Sequence, residues 1–390
     1  MVRYGRLIKS EYFEAPDLHY LADCLMTYWM TYKRIPSDAG DVIDIMGIEH
    51  RDLIHSVYLG KKEWDLDYAG DMVVTFAREQ AAKLAVLESL DDIEHGDLTK
   101  VRDRIDAASK IGSDVGDVGL SVKGDADKWL YDALTDKVPT GMIHLDIAMD
   151  GGLAPGELGI FLSPPNYGKS MALVNAGYGA AGPISRCNVV HITLEMSSSV
   201  VAKRYAARQV FRFPSKRDDP KEYKQEFLTI ASMMMPGEVR VFHITGTVHD
   251  VRARAERFKD ETGLEIGLLI VDYGDLVRAT ITRSERWIEL GDIFQSLREL
   301  GIDLGCPLWT ATQTGRNALN KEIITMADLA ESFLKAAVAD AIVAICQTVD
   351  EEKANQCRLY LAKLRDGESR AMISAKYYKR QQAIITTGFV

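Results

Sequence analysis

Along residues 1–111 apolar side chains recur at helical spacing, and the pattern predicts an all-helical segment. Leu18 to Tyr32 is the first such stretch, and Pro36-Ser37-Asp38 then reads as a turn leading into a new helix start. Tyr68 to Leu90 is longer, with Val73, Val74, Phe76, Ala81, Ala82, Leu84, Val86 and Leu87, and Leu98 to Ile111 gives another. No cluster of chemistry-bearing side chains interrupts these helices, so residues 1–111 read as a helical N-terminal interaction domain. From Gly112 to Asp127 the composition shifts to Gly, Asp, Ser and Val, which marks a linker. Lys128 to Thr135 is short and amphipathic, with Trp129 and Ala133, and Leu130 and Leu134, sharing one side of a helix. The expectation for 112–137 is a linker with a short docking helix, on a neighbouring subunit or on its own core.

From about 138 onward, short apolar runs alternate with helical stretches. That order predicts an α/β domain over 138–390 with a mostly parallel central sheet. The strand candidates are Gly159–Leu162, Val189–Leu194, Val241–Ile244, Gly267–Val271, Leu308–Ala311, Ala341–Ile345 and Leu359–Ala362. Ligands in such sheets sit beyond the carboxyl ends of the strands, and the polar residues of interest fall there.

Composition narrows the setting. At 390 residues the chain is long enough for two domains, and 47% apolar with 27% charged residues is ordinary for a soluble globular protein. No apolar run approaches the ~20 residues of a membrane span, and the N-terminus lacks a signal-peptide core. Five scattered cysteines, without metal spacing and odd in number, argue against a disulfide framework and for a reducing cytoplasm, bacterial or that of an infected host. The net charge of −10 argues against a broad basic exterior but not against a DNA partner, because a ring-shaped protein can keep its basic groups in a channel.

The stretch Gly151 to Met171 concentrates the chemistry. Glycine-marked turns precede an apolar strand, and Ser163-Pro164-Pro165-Asn166-Tyr167-Gly168-Lys169-Ser170-Met171 then leads into helical spacing. Strand, loop, Gly-Lys-Ser and helix is the order of a phosphate-binding P-loop, in which backbone N–H groups and the helix dipole face the phosphates. Lys169 would reach the β- and γ-phosphates and the Ser170 hydroxyl would ligate Mg²⁺. The pattern departs from the usual one at Ser163, which stands where the first loop glycine is expected. The bland alternative is a Gly-Lys-Ser that only starts a helix.

Three further strands end in polar residues. Val189 to Glu195 ends in a carboxylate placed to orient and deprotonate a water attacking the γ-phosphate; alternatively Glu195 only helps start a helix capped by Ser197. Leu268 to Asp272 has the form of a Walker B strand, with Asp272 holding Mg²⁺ through its water shell, or ending a strand for turn reasons alone. Leu308 to Gln313 presents Gln313 as a γ-phosphate sensor, or as an ordinary strand-end amide. Leu359 to Gly367 and Met372 to Tyr377 read as two strands about a turn. Lys363 and Arg365 share one face there, as a basic pair reaching a neighbour's γ-phosphate or as a solvated face on an edge hairpin. Two loops offer donors for nucleic-acid phosphates: Arg278, Arg283 and Arg286 in one, Arg316, Asn317 and Lys321 in the other. Merely solvated charge is the plainer reading of both. The eight histidines show no paired metal spacing, and no serine or cysteine carries a nucleophile signature.

Taken together, Gly-Gly-Leu-Ala-Pro-Gly-Glu-Leu, the Gly-Lys-Ser loop, Thr193-Leu-Glu195-Met-Ser, Ile-Val-Asp272-Tyr, Thr-Gln313-Thr-Gly-Arg and Lys363-Leu-Arg365-Asp-Gly resemble the RecA-like core of DnaB-type replicative helicases. The phage-encoded branch looks most similar, over about 138–380. Tyr12-Phe13 and Arg34-Ile-Pro-Ser resemble the family's amino-terminal domain more loosely. The resemblance implies a homohexameric ring that hydrolyses ATP or another nucleoside triphosphate with Mg²⁺ between subunits and moves 5′ to 3′ on single-stranded DNA. It maps Lys169 and Ser170 to Walker A, Glu195 to the catalytic carboxylate, Asp272 to Walker B, Gln313 to the phosphate sensor, and Lys363 with Arg365 to the trans-acting basic pair. A helicase loader and a primase are the implied partners. A nucleotide-switched scaffold or loader without unwinding is the competing reading, and a strand-exchange ATPase a weaker third.

Overall fold

The computed structural model describes residues 7–390 apart from 33, 35, 37, 48–49, 60–65, 96–97, 110, 112–120, 125, 128–129, 131–136, 281–282, 316–317, 320, 330–333 and 366. The chain divides into two compact units, Met1–Tyr131 and Asp132–Val390. Most of the expected linker and docking helix lies outside the described residues.

The first unit is helical, with helices at Pro16–Tyr32, Ala39–Met46, Arg51–Leu59, Leu66–Glu94 and Leu98–Ser109. Asp38 starts the second of these: its carboxylate accepts from the Asp41 N–H at 3.0 Å, which satisfies one of the donors a helix leaves open at its first turn. Ala77, Ala81 and Ala85, spaced one turn apart, form a small cluster with Tyr12 and Ala108, while Leu21, Val42, Met46 and Ile54 form another. Val86, Leu87 and Leu90 share the periodicity of the long helix yet are more than half exposed.

The second unit is built on nine strands: β1 (Leu158–Ser163), β2 (Val189–Thr193), β3 (Val239–His243), β4 (Leu268–Asp272), β5 (Leu308–Gln313), β6 (Ala341–Cys346), β7 (Gln356–Leu364), β8 (Met372–Tyr378) and β9 (Ala383–Phe389). Their order is β3-β2-β4-β5-β1-β6-β7-β8-β9. The run from β3 to β6 is parallel, and β7, β8 and β9 add on antiparallel. The α/β architecture with a mostly parallel sheet is as expected. Strand β9 is an addition, and it places the β7–β8 hairpin inside the sheet, so an edge hairpin is not what carries Lys363.

Both faces of the parallel strands are covered, and this explains their unbroken apolar runs. Leu158, Ile160 and Leu162 point into one core with Val251, Phe258, Leu290, Phe294 and Leu297 of the helices Val248–Thr262 and Arg286–Leu304. Phe161 points into the other, with Met171, Leu173 and Ala176 of the helix Lys169–Ala180. Phe161 stacks on Trp309 with ring centroids 4.4 Å apart. Gly159 makes room for this, since a Cβ there would stand 2.5 Å from the Trp309 ring. Strand β1 lies between β5 and β6, and its own crossover leads instead to β2, so the strand order reverses beside it. The crevice at such a reversal is the natural ligand position.

Candidate active site

The loop after β1 begins without strain. Ser163 is fully buried, remains in register with Gln313 of β5, and is absent from the positive-φ positions, so no glycine is required there. The turn is made later, where Asn166 (φ 66°) and Gly168 (φ 90°) take left-handed conformations. Gly168 also lies so near Tyr377 that a Cβ would stand 2.1 Å from its hydroxyl. The helix Lys169–Ala180 follows, and no side chain caps its first turn. Its leading N–H groups are thus left for an anion, and the helix dipole favours one.

A cavity of about 310 Å³ opens over this helix start. Pro165, Asn166, Gly168, Lys169, Ser170 and Met171 line it from the loop, Glu195 from the end of β2 and Gln313 from the end of β5. Strands far apart in sequence thereby bring most of the expected site together. Ser163, Pro164 and Tyr167 belong to the loop but do not line the cavity. Pro164 instead supports it, its carbonyl accepting from Lys169 Nζ at 3.4 Å. Burial lowers the Lys169 pKa, and the charges of Glu195, Asp275 and Asp272 oppose that shift.

Asp272 is fully buried at the end of β4. Its Oδ1 accepts from the Ser170 hydroxyl at 3.1 Å, whereas Oδ2 has no hydrogen-bond partner among the described residues. Burial pushes its carboxyl up to about 6; the Ser170 bond and the Arg204 and Lys169 charges pull the other way. An orphaned buried carboxylate oxygen beside a serine hydroxyl fits a hard, oxygen-seeking cation that keeps most of its waters, which is how Mg²⁺ binds. No cluster of three or more His, Cys, Asp or Glu suited to a metal occurs among the described residues.

Glu195 is exposed and stands two residues before Ser197, the N-cap of the helix Ser198–Val210. The Ser197 hydroxyl makes no capping bond, and Thr193 Oγ1, accepting from the Met196 N–H at 3.1 Å, shapes the turn instead. Helix starting is therefore a poor account of Glu195. The Gln313 side chain donates to the Tyr273 hydroxyl at 2.9 Å.

Lys363 and Arg365 share a face as expected but lie away from this cavity. Lys363 Nζ donates to the Ala336 and Ala337 carbonyls at 2.6 and 3.1 Å, and Arg365 pairs with Asp340 at 3.0 Å. Of the candidate nucleic-acid contacts, Arg283 is held by Asp292 at 3.0 Å, Arg286 by Glu289 at 3.1 Å and Lys321 by Asp328 at 2.5 Å. Arg278 is exposed and its side chain makes no ion pair among the described residues. Arg316 and Asn317 lie outside the described residues.

Some residues of the site were not anticipated. Arg204, half-buried in the helix Ser198–Val210, faces the cavity, as do Tyr377 from the end of β8 and Lys379 and Gln382 from the turn between β8 and β9. His191 lies buried below, bonded through Nδ1 to the Tyr205 hydroxyl at 3.0 Å, with Nε2 4.0 Å from Asp272 Oδ2. Burial, aided by the Arg204 charge, drops its pKa to about 3, so the imidazole is neutral. A histidine within an apolar β2 run was the available signal for this residue; nothing local marks Arg204.

Comparison with known proteins gives this geometry a context. The sequence profile of the DnaB-like helicase C terminal domain matches residues 137–383. The DnaB-like replicative helicase of Enterobacteria phage T4 is 28% identical over 258 residues, which is 62% of this chain and 53% of that protein. The replicative DNA helicase DnaB of Haemophilus influenzae is 28% identical over 185 residues, 46% of this chain and 39% of that protein. The chain thus spans about half the length of the first of these relatives, and less of the second. A solved structure of a DnaB-like replicative helicase, described with its interactions with primase, aligns over 98% of both chains with a TM-score of 0.64 at 15% identity. The ATPase domain of G40P aligns over 67% of this chain and 96% of its own with a TM-score of 0.57 at 18% identity. Those likenesses are of fold alone. The profile match, running from residue 137, ahead of β1, to the first residue of β9, shows that this chain belongs to the DnaB-like helicase C terminal domain family.

Proposed function

We propose that the protein is a replicative-type DNA helicase that couples hydrolysis of ATP, or another nucleoside triphosphate, to 5′–3′ movement on single-stranded DNA and duplex unwinding. The observation that carries this reading is the convergence of Lys169, Ser170, Glu195 and Gln313 on one cavity, with Asp272 beneath it. The uncapped helix start and Lys169 neutralise and hold the phosphates. Ser170 and Asp272 would hold Mg²⁺, which supplies charge neutralisation at the phosphate oxygens. Glu195, exposed in the cavity, orients the attacking water and takes its proton. Gln313 contacts the terminal phosphate and relays its loss along the loop that follows β5.

Lys363 and Arg365 lie outside their own chain's cavity, which suits a basic pair that serves the cavity of a neighbouring subunit. Hydrolysis then belongs to an interface, and a homohexameric ring supplies one. A loader and a primase are the partners that go with this reading. The setting is the cytoplasm of a bacterium or of a phage-infected cell; among the described residues no helix is long and apolar enough to cross a membrane.

The test is strand separation on forked DNA with magnesium ATP, comparing the wild type with Glu195→Gln. Unwinding by the wild type and none by the variant is expected. Nucleotide and DNA binding without strand separation by either protein would move the assignment to a nucleotide-switched scaffold or loader.

A further inference from the structure

Lys335 is 1% exposed, on the five-residue helix Leu334–Val338, with its Nζ 5.4 Å from the centre of the Phe294 ring. A buried ammonium is costly unless it is paired and hydrogen-bonded. Here Nζ donates to Asp275 Oδ1 at 2.6 Å and to Thr312 Oγ1 at 3.0 Å. Asp275, in the turn just beyond Asp272, also receives the Thr312 hydroxyl at 2.9 Å and the Gln313 N–H at 3.1 Å. The end of β5 is thus clamped through two consecutive residues, and the second of them projects its side chain into the nucleotide cavity.

The same short helix meets the other basic groups at its far end. Its Ala336 and Ala337 carbonyls accept from Lys363, and those of Ala337 and Val338 from Arg365 at 3.4 and 3.3 Å. One turn of helix therefore stands between Gln313, which faces its own cavity, and the pair assigned to the neighbour's. Replacing a buried ion pair by apolar groups of similar volume is often neutral for stability, so stability alone is a weak reason for this arrangement.

The geometry points to Lys335, acting through Asp275, as a positioning residue that sets the main chain of Gln313 and ties it to the helix supporting Lys363 and Arg365. This rests on the hydrolysis reading above. The pair does not touch the reacting atoms; it holds the residue that does.

The test is a mutant cycle on the full chain with magnesium ATP and single-stranded DNA. Lys335→Met removes the cation at similar volume, and Asp275→Asn combined with it avoids leaving a lone buried carboxylate. The double variant is expected to keep its melting temperature and a KM within about twofold, while kcat falls by roughly 10- to 100-fold, as misplacement of a catalytic group does. Adding Gln313→Ala to the double variant is expected to cost nothing beyond Gln313→Ala alone, because groups acting through one another are not additive. Losses that multiply overturn the positioning role, and so does a double variant that fails to fold, since the pair would then serve the fold itself. A wild type that hydrolyses nucleotide while the losses multiply sinks this inference alone; a wild type without hydrolysis sinks the motor reading with it.

Discussion

Asp272, buried beneath the cavity, sets burial against charge. Its carboxyl titrates at about 6 in the folded chain, against roughly 4 for an unfolded aspartate, because water is excluded around it. A group with a raised folded pKa binds protons better when folded. Its contribution to stability is therefore full below about pH 4 and is lost as the pH rises through 6. Asp272→Asn is expected to melt higher than the wild type at pH 7.5 without divalent metal, by on the order of 2 kcal/mol, with the gap closing toward pH 4. A lower-melting Asn variant would mean that the carboxylate is satisfied as it stands. Two cavity residues give a kinetic prediction. Lys169→Ala removes the buried cation and should abolish phosphate release, while Glu195→Gln should slow single-turnover hydrolysis by roughly 10²- to 10⁴-fold with nucleotide binding retained.

Among the elements, β1 and β5 do the most to place the site, since one ends at the loop and the other at Gln313. Besides their parallel ladder, they meet in the stack of Phe161 on Trp309, admitted by Gly159. A methyl group at Gly159 would meet the face of a rigid indole inside a core with no slack. Gly159→Ala should therefore destabilise the second unit by about 1–3 kcal/mol, read as a lower urea midpoint with an unchanged slope. An unaltered midpoint would show that the two strands can part at little cost. The helix Lys169–Ala180, largely buried and apolar over most of its surface, explains why its amphipathic signal is weak although its start is so well marked.

At the scale of the whole molecule, the basic pair outside its own cavity makes a prediction about assembly. Arg365→Ala should lower DNA-stimulated turnover by about 10³-fold while nucleotide binding stays near that of the wild type. Undiminished turnover in that variant would end the proposal that a guanidinium acts between subunits. Light scattering with magnesium nucleotide and DNA present should give a hexamer, and a monomer under those conditions would leave the cavity without a second wall. The net charge of −10 is compatible with a DNA partner only if the cations that meet DNA are gathered locally. Arg283, Arg286 and Lys321 are held by acidic neighbours in the isolated chain, so DNA would have to compete for them.

The alternation of strand and helix, the loop before Lys169, and the carboxylate or amide at the ends of β2, β4 and β5 were all legible along the chain. Each is written within about ten consecutive residues, in apolar runs and turn formers whose preferences are local. Strand β9 had its own signal in Ala-Ile-Ile-Thr-Thr-Gly-Phe, but a short run of β-branched residues does not reveal which neighbour it pairs with. The order of the strands came from the fold alone. It carried the turn before β9 over the loop, set Arg204 and His191 about the Asp272 carboxylate, and joined Lys335 to Asp275 across 60 positions. Periodicity tells which face of an element is buried; only packing in three dimensions chooses the partner a buried charge will meet.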